Sequence, residues 1–137
     1  MTEGKIKGLA HIGLAVGNLE RSKEFYTSIL GFEVFHDSSI PEGNGFIHVA
    51  FLRLNDCILE LVELVDYPGK MDGRVNHIAL MTENIEAVRR DLTEKGIEFE
   101  TEEIVHCMEV FPPFGTKYII FRGPDNERLE INEVQKG

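Results

Sequence analysis

The chain is short of basic residues, has two cysteines and lacks any long apolar run. Lys and Arg number 14 against 24 Asp and Glu, giving a formal net charge of −10. Gripping a phosphate backbone relies on Lys and Arg, so nucleic acid is not an expected partner. Cys57 and Cys107 are too few for a disulfide framework, which fits a reducing cytoplasm, although they could still pair. No stretch approaches about 18 continuous apolar residues, so neither a transmembrane helix nor a membrane partner is expected. The opening MTEGKIKG is too polar for a secretory signal. No low-complexity tract interrupts the chain. A single cytoplasmic domain over residues 1–137 is the expectation, with length enough for a real core.

What is present is a repetition. AHIGL (residues 10–14) returns as NHIAL (residues 76–80), which sets His11 and His77 66 residues apart. Asn18 before Leu-Glu-Arg and Asn84 before Ile-Glu-Ala are also 66 apart. Gly31 and Gly96 are 65 apart, and LELVE (residues 59–63) returns as LEINE (residues 129–133) at 70. Four landmarks in one order indicate a duplicated unit of half the chain. Module one spans about 5–66 and module two about 73–135, with YPGKMDGR (residues 67–74) as the hinge between them.

Each copy reads β-α-β-β-β. GLAHIGLAV and RVNHIALMT have strand character. Asn18 and Asn84 are N-caps for LERSKEFYTSIL and IEAVRRDLTEK, and Gly31 and Gly96 stand where a helix ends in positive φ. FEVFHDSS, FIHVAFLRL and CILELVEL complete the first copy, with turns at Pro41, Gly43, Asn44 and Gly45 and at Asn55 and Asp56. IEFETEEIV, TKYIIFRG and RLEINEV complete the second, with GPDN (residues 123–126) as its last hairpin turn. The predicted class is α+β: two tandem βαβββ modules forming a curved, partly closed mixed sheet with the helices outside.

Strand alternation assigns faces. His11 shares its face with Leu9, Gly13 and Ala15, and His77 with Val75, Ala79 and Met81. The bulkier residues lie mostly opposite, so they are expected under the helices, and a hollow is expected beside the histidines. Glu60 lies between Leu59 and Leu61, where a carboxylate is costly unless paired or bound to a metal. Glu130 shares its face with Arg128 and Asn132, a polar face suited to a cavity. Taken singly, each of the four is better read as an ordinary core or wet-face residue. Their recurrence reverses that preference, because a duplicated fold has no packing need for four ionisable groups. Under pseudo-twofold symmetry His11, Glu60, His77 and Glu130 would converge on a divalent first-row ion. Imidazole suits zinc, nickel, cobalt or iron, and carboxylate suits harder ions such as manganese. Four ligands leave two octahedral positions for substrate, which points to a catalytic site. His36, His48 and His106 lack repeat partners and are read as surface or pocket residues. The segment HCMEVFPPFGTK (residues 106–117) enlarges the second copy and reads as a substrate wall or as a plain connector.

HIGLAVGNLERSKEFYTSILGF, LELVE, NHIAL and GPDNERLEINE together resemble the vicinal oxygen chelate superfamily, nearest to glyoxalase I. The resemblance implies one metal ligand from each of four strands, at His11, Glu60, His77 and Glu130. It implies a divalent ion (Ni, Zn, Co or Mn), a small-molecule substrate and a homodimer. It further implies a lyase or isomerase that moves a proton through a metal-bound enediolate on an α-oxo or hemithioacetal substrate. Glu130 is the base by this resemblance and Glu60 the second candidate. Glutamate at position 60 is the choice of glyoxalase I, where methylmalonyl-CoA epimerase typically has glutamine. Glutathione-using members carry Arg and Asn where this chain has Ala15 and Leu64, so a different thiol carrier or substrate is implied. An epimerase acting beside a thioester is the nearest rival reading, and a non-catalytic small-molecule binder is another. An extradiol dioxygenase fits less well, because its iron takes two His and one Glu.

Overall fold

The computed structural model describes residues 9–64 and 75–137. The expected hinge at 67–74 lies outside the described residues, as does MTEGKIKG. The chain separates into two compact units, Met1–Tyr67 and Pro68–Gly137.

The first unit runs β1 (Ile12–Val16), α1 (Leu19–Glu24) continuing into a π-helical turn (Phe25–Ile29), β2 (Glu33–Glu42), β3 (Gly45–Leu54) and β4 (Cys57–Glu63). Its sheet has the order β1-β4-β3-β2, with β1 parallel to β4 and the other pairs antiparallel. The second unit runs β5 (Ile78–Met81), α2 (Ile85–Glu94), β6 (Val105–Cys107), β7 (Thr116–Arg122) and β8 (Arg128–Val134). Its sheet has the order β5-β8-β7-β6, with β5 parallel to β8. The predicted βαβββ order is therefore present twice.

Both helices start as their sequences predict. Asn18 Oδ1 accepts from the Arg21 N–H at 2.9 Å, and Asn84 Oδ1 accepts from the Ala87 N–H at 3.1 Å. Gly31 and Gly96 close them at φ 86° and 90°. The two helices differ by one residue between cap and glycine, and the π-helical turn in the first takes up that residue. This is why the repeat offset drops from 66 to 65 between the asparagines and the glycines.

Helix α1 packs on β3 and β4, and α2 on β7 and β8. Beneath the first lie Val16, Leu52, Leu59 and Leu61, each 1% exposed or less. Burying such a side chain contributes about 1.5–3 kcal/mol. Ile119, Phe121, Leu129 and Ile131 do the same under α2. The next residue along each strand points to the other face of the sheet, and that face carries the histidines and glutamates.

Two expectations change. Pro41 sits inside β2 opposite Phe46, and the hairpin turns at Gly43 and Asn44 instead. β2 is an edge strand, where a missing N–H is tolerated. IEFETEEIV does not form one strand. Phe99 makes an isolated bridge to Phe121, and pairing resumes only at Val105. Between them the Ile120 N–H donates to the Thr101 side-chain oxygen at 3.2 Å, and Arg89 donates to the Glu102 carbonyl. Side-chain bonds to the backbone thus replace the ladder there.

Candidate functional site

Each histidine stands one residue before its strand, and each glutamate sits on the strand alongside. Glu60 lies opposite Gly13, two residues after His11; Glu130 lies opposite Ala79, two residues after His77. The register is identical in the two copies. His11 Nε2 stands 3.2 Å from Glu60 Oε1, and His77 Nε2 stands 3.6 Å from Glu130 Oε1. The glutamates are mostly covered, at 21% and 13% exposure, and the histidines are open, at 40% and 41%. The structure thus assembles the four predicted residues as two pairs, one per unit. Gly13 is exposed, and a Cβ added there would meet nothing within 4 Å.

The surroundings differ. In the first unit His11 meets the Phe51 ring edge-on, with centroids 5.4 Å apart. Phe51 is flanked in turn by Phe35 at 6.2 Å and His36 at 6.0 Å. Among the described residues Glu60 has no hydrogen-bond donor apart from His11. In the second unit the Asn132 amide donates to Glu130 Oε2 at 2.9 Å, and the buried Thr116 hydroxyl donates to Asn132 Oδ1 at 2.9 Å. Asn76 Oδ1 accepts from the Arg128 guanidinium at 3.2 Å and lies 2.8 Å from His77 Nδ1. A guanidinium only donates, so that atom of Asn76 is the oxygen, and the proton on the ring is at Nδ1. In the neutral ring Nε2 then turns its lone pair towards the Glu130 carboxylate. Two acceptors facing one another are unfavourable unless a proton or a cation stands between them.

The donor set fits a cation. Two donors bound to one ion at about 2.0–2.2 Å stand roughly 2.8–3.6 Å apart for octahedral to tetrahedral angles. The His11–Glu60 separation falls within that span and the His77–Glu130 separation at its upper end. Two imidazoles and two carboxylates without a thiolate suit a first-row divalent ion better than a structural zinc site. Among the described residues, no group of three or more His, Cys, Asp or Glu is gathered closely enough to hold a metal ion.

Comparison with known proteins gives the family. The profile described as Glyoxalase/Bleomycin resistance protein/Dioxygenase superfamily matches residues 8–131. The chain belongs to this superfamily. A glyoxalase-superfamily protein of known structure, from Enterococcus faecalis, is 29% identical with a TM-score of 0.77, covering 93% of this chain and 98% of that one. Among curated relatives, lactoylglutathione lyase of Neisseria meningitidis is 29% identical over 94% of this chain and 92% of its own. Mitochondrial methylmalonyl-CoA epimerase of Bos taurus is 31% identical over 69% of this chain and 58% of its own.

The remaining expected residues also have places. His48 accepts from or donates to Ser39 Oγ at 2.8 Å and lines a cleft of about 580 Å³ beside α1, together with Lys23, Asp37 and Glu63. That cleft contains neither His11 nor Glu60. The Asp37 carboxylate holds the Lys23 ammonium pKa above its ordinary value. His106 Nε2 lies 2.9 Å from the Phe114 carbonyl and ties the 106–117 segment back on itself. Gly115, at φ +76°, closes that segment so tightly that a Cβ would lie 2.5 Å from the Cys107 carbonyl. Cys57 is a free thiol whose pKa burial pushes up, and Cys107 is also free, so the two do not pair. No helix among the described residues is long and apolar enough to cross a membrane.

Sequence reasoning missed two sets of residues. Asn76 and Thr116 occur without a repeat partner, so the duplication could not single them out. Glu63 and Glu133 do recur, yet they serve the helices: Glu63 accepts from the Leu19 N–H and Glu133 from the Ile85 N–H, each at 2.8 Å. Strand parity was the available signal, since both lie three residues past the candidate ligands.

Proposed function

We propose that the two His–Glu pairs together hold one divalent cation and that the protein is a lyase or isomerase of glyoxalase I type. The observation that carries this reading is the pair of His–Glu contacts at the same register position in both copies. A cation held by His11, Glu60, His77 and Glu130 would supply Lewis acidity to adjacent oxygens of an α-oxo or hemithioacetal substrate, which acidifies the C–H of the hydroxyl-bearing carbon next to the carbonyl. His11 and His77 bind and stay in place. A carboxylate takes the proton from one carbon and returns it to the neighbouring carbon.

Hydrogen bonding separates the two carboxylates. Glu130, the base by resemblance, is tethered by Asn132 and Thr116. Glu60 has no such tether among the described residues, so it swings at lower cost, and we assign the proton transfer to it. The glutathione-binding Arg and Asn are replaced by Ala15 and Leu64, which favours another thiol or a substrate without one. Epimerisation next to a thioester uses the same proton step and is the second reading, favoured by the similarity to methylmalonyl-CoA epimerase.

The test has two parts. Elemental analysis after reconstitution should find one ion per chain; none, or two, would refute the shared site. Turnover of methylglyoxal hemithioacetals made with several thiols, and of an acyl-thioester, then separates lyase from epimerase. Glu60→Gln should lose at least about 100-fold in turnover, in line with the contribution of a general base, and Glu130→Gln less. The opposite order returns the base to Glu130.

A further inference from the structure

Cross-strand register arranges the open face of the first sheet in rows. Gly13, Glu60, Phe51 and His36 form one row. Arg53 stands two residues beyond Phe51 on the same strand, opposite Ile58, and so on the same face. In the second sheet Ala79, Glu130 and Ile120 form the equivalent row, and Arg122 stands two residues beyond Ile120, opposite Arg128. Arg53 and Arg122 therefore occupy one position of the duplicated module.

Their charges are handled differently. Arg122 is neutralised by the Glu100 carboxylate and also donates to the Asn126 carbonyl at 3.0 Å. Arg53 is exposed, and its guanidinium carbon lies 4.4 Å from the centroid of the Phe35 ring. Among the described residues it forms no ion pair, not even with its cross-strand neighbour Glu33. Acidic groups outnumber basic ones by ten in this protein, yet none among the described residues pairs with this cation. The ring fixes its position without cancelling its charge. From His11 the surface runs over Phe51 and then Phe35 before it reaches Arg53, an apolar track with a positive end.

We propose that Arg53 anchors the anionic end of the substrate, a carboxylate or phosphate, while an apolar body lies over Phe51 and the adjacent oxygens reach the His11–Glu60 pair. This rests on reading that pair as half of the metal site. The substrate class becomes an anionic α-oxo compound or adduct long enough to cross one aromatic ring. Guanidinium suits such an end because it pairs with two oxygens at once.

Two chelating probes test this on the zinc-loaded full chain by calorimetry. Benzohydroxamate carries adjacent oxygens on a phenyl ring; 4-carboxybenzohydroxamate adds an anion at the far end. The carboxylated probe should bind the wild type about ten- to hundredfold more tightly, the size of a charge-assisted contact. In Arg53→Leu the ratio of the two affinities should fall to about one, and in Arg53→Lys it should be partly kept. A ratio near one in the wild type, or a preference that survives Arg53→Leu, overturns the anchor while leaving the metal site standing, provided that plain benzohydroxamate binds and His11→Ala abolishes that binding. If plain benzohydroxamate shows no zinc-dependent binding at all, the metal reading fails and the anchor falls with it.

Discussion

His11 leans edge-on against the Phe51 ring, whereas His77 is gripped by Asn76, which Arg128 holds in turn. Among the described residues Glu60 meets only its histidine, and Glu130 is bonded through Asn132 to buried Thr116. One duplicated module thus presents the same two donors in an aromatic setting with few hydrogen bonds and in a polar, hydrogen-bonded one. The strand register places the pairs alike in both copies, while the supporting residues differ.

The comparison breaks first at the histidines. His11→Ala and His77→Ala should each lower metal affinity by at least about 100-fold, more than the loss of an outer-shell partner. Competition against a coloured chelator measures this. A variant that binds as tightly as the wild type would take its pair out of the shared site.

Smaller losses should follow the asymmetry. Asn76→Ala and Asn132→Ala each remove a group that orients a donor and should cost about 10–100-fold in metal affinity. Val62 occupies the position of Asn132 in the first sheet, beside Ala15 as Asn132 is beside Met81. It donates nothing to Glu60, so Val62→Ala should leave affinity within about threefold. The same chelator competition reads all three. A tenfold loss at Val62, or none at Asn132, would erase the distinction between the hydrogen-bonded and the apolar setting.

Repetition explains what could be read without coordinates. His11, His77, Glu60 and Glu130 were found because each occurs twice, and parity placed them on the open face. The module order followed from caps and glycines that recur at near-constant offsets. The supporting residues did not follow, because Asn76 and Thr116 have no counterpart and work through side-chain contacts across strands. Arg53 and Arg122 do correspond, but they fall where the offset is changing from 65 to 70, and only strand pairing aligns them. The broken strand after Gly96 was illegible for a related reason. Its residues have strand propensity, and a tertiary bond from Ile120 to Thr101 overrides it.

The least disruptive test lies at the helix starts, where the two copies agree. Asn18→Ala and Asn84→Ala each delete one acceptor for a first-turn N–H and should each cost about 1 kcal/mol. Thermal unfolding would show a shift of a few degrees for either. Metal affinity should not change, because the caps and the glutamates that assist them, Glu63 and Glu133, act at the helix starts and touch none of the four candidate ligands. The costs should also match each other, although α1 runs into a π-helical turn and α2 does not. Matching costs mean that the extra residue in the first helix is absorbed beyond Glu24 and leaves the first turn alone. A markedly larger cost at Asn18 would mean that the π-helical turn strains the whole helix, and the first unit would then be the less stable half.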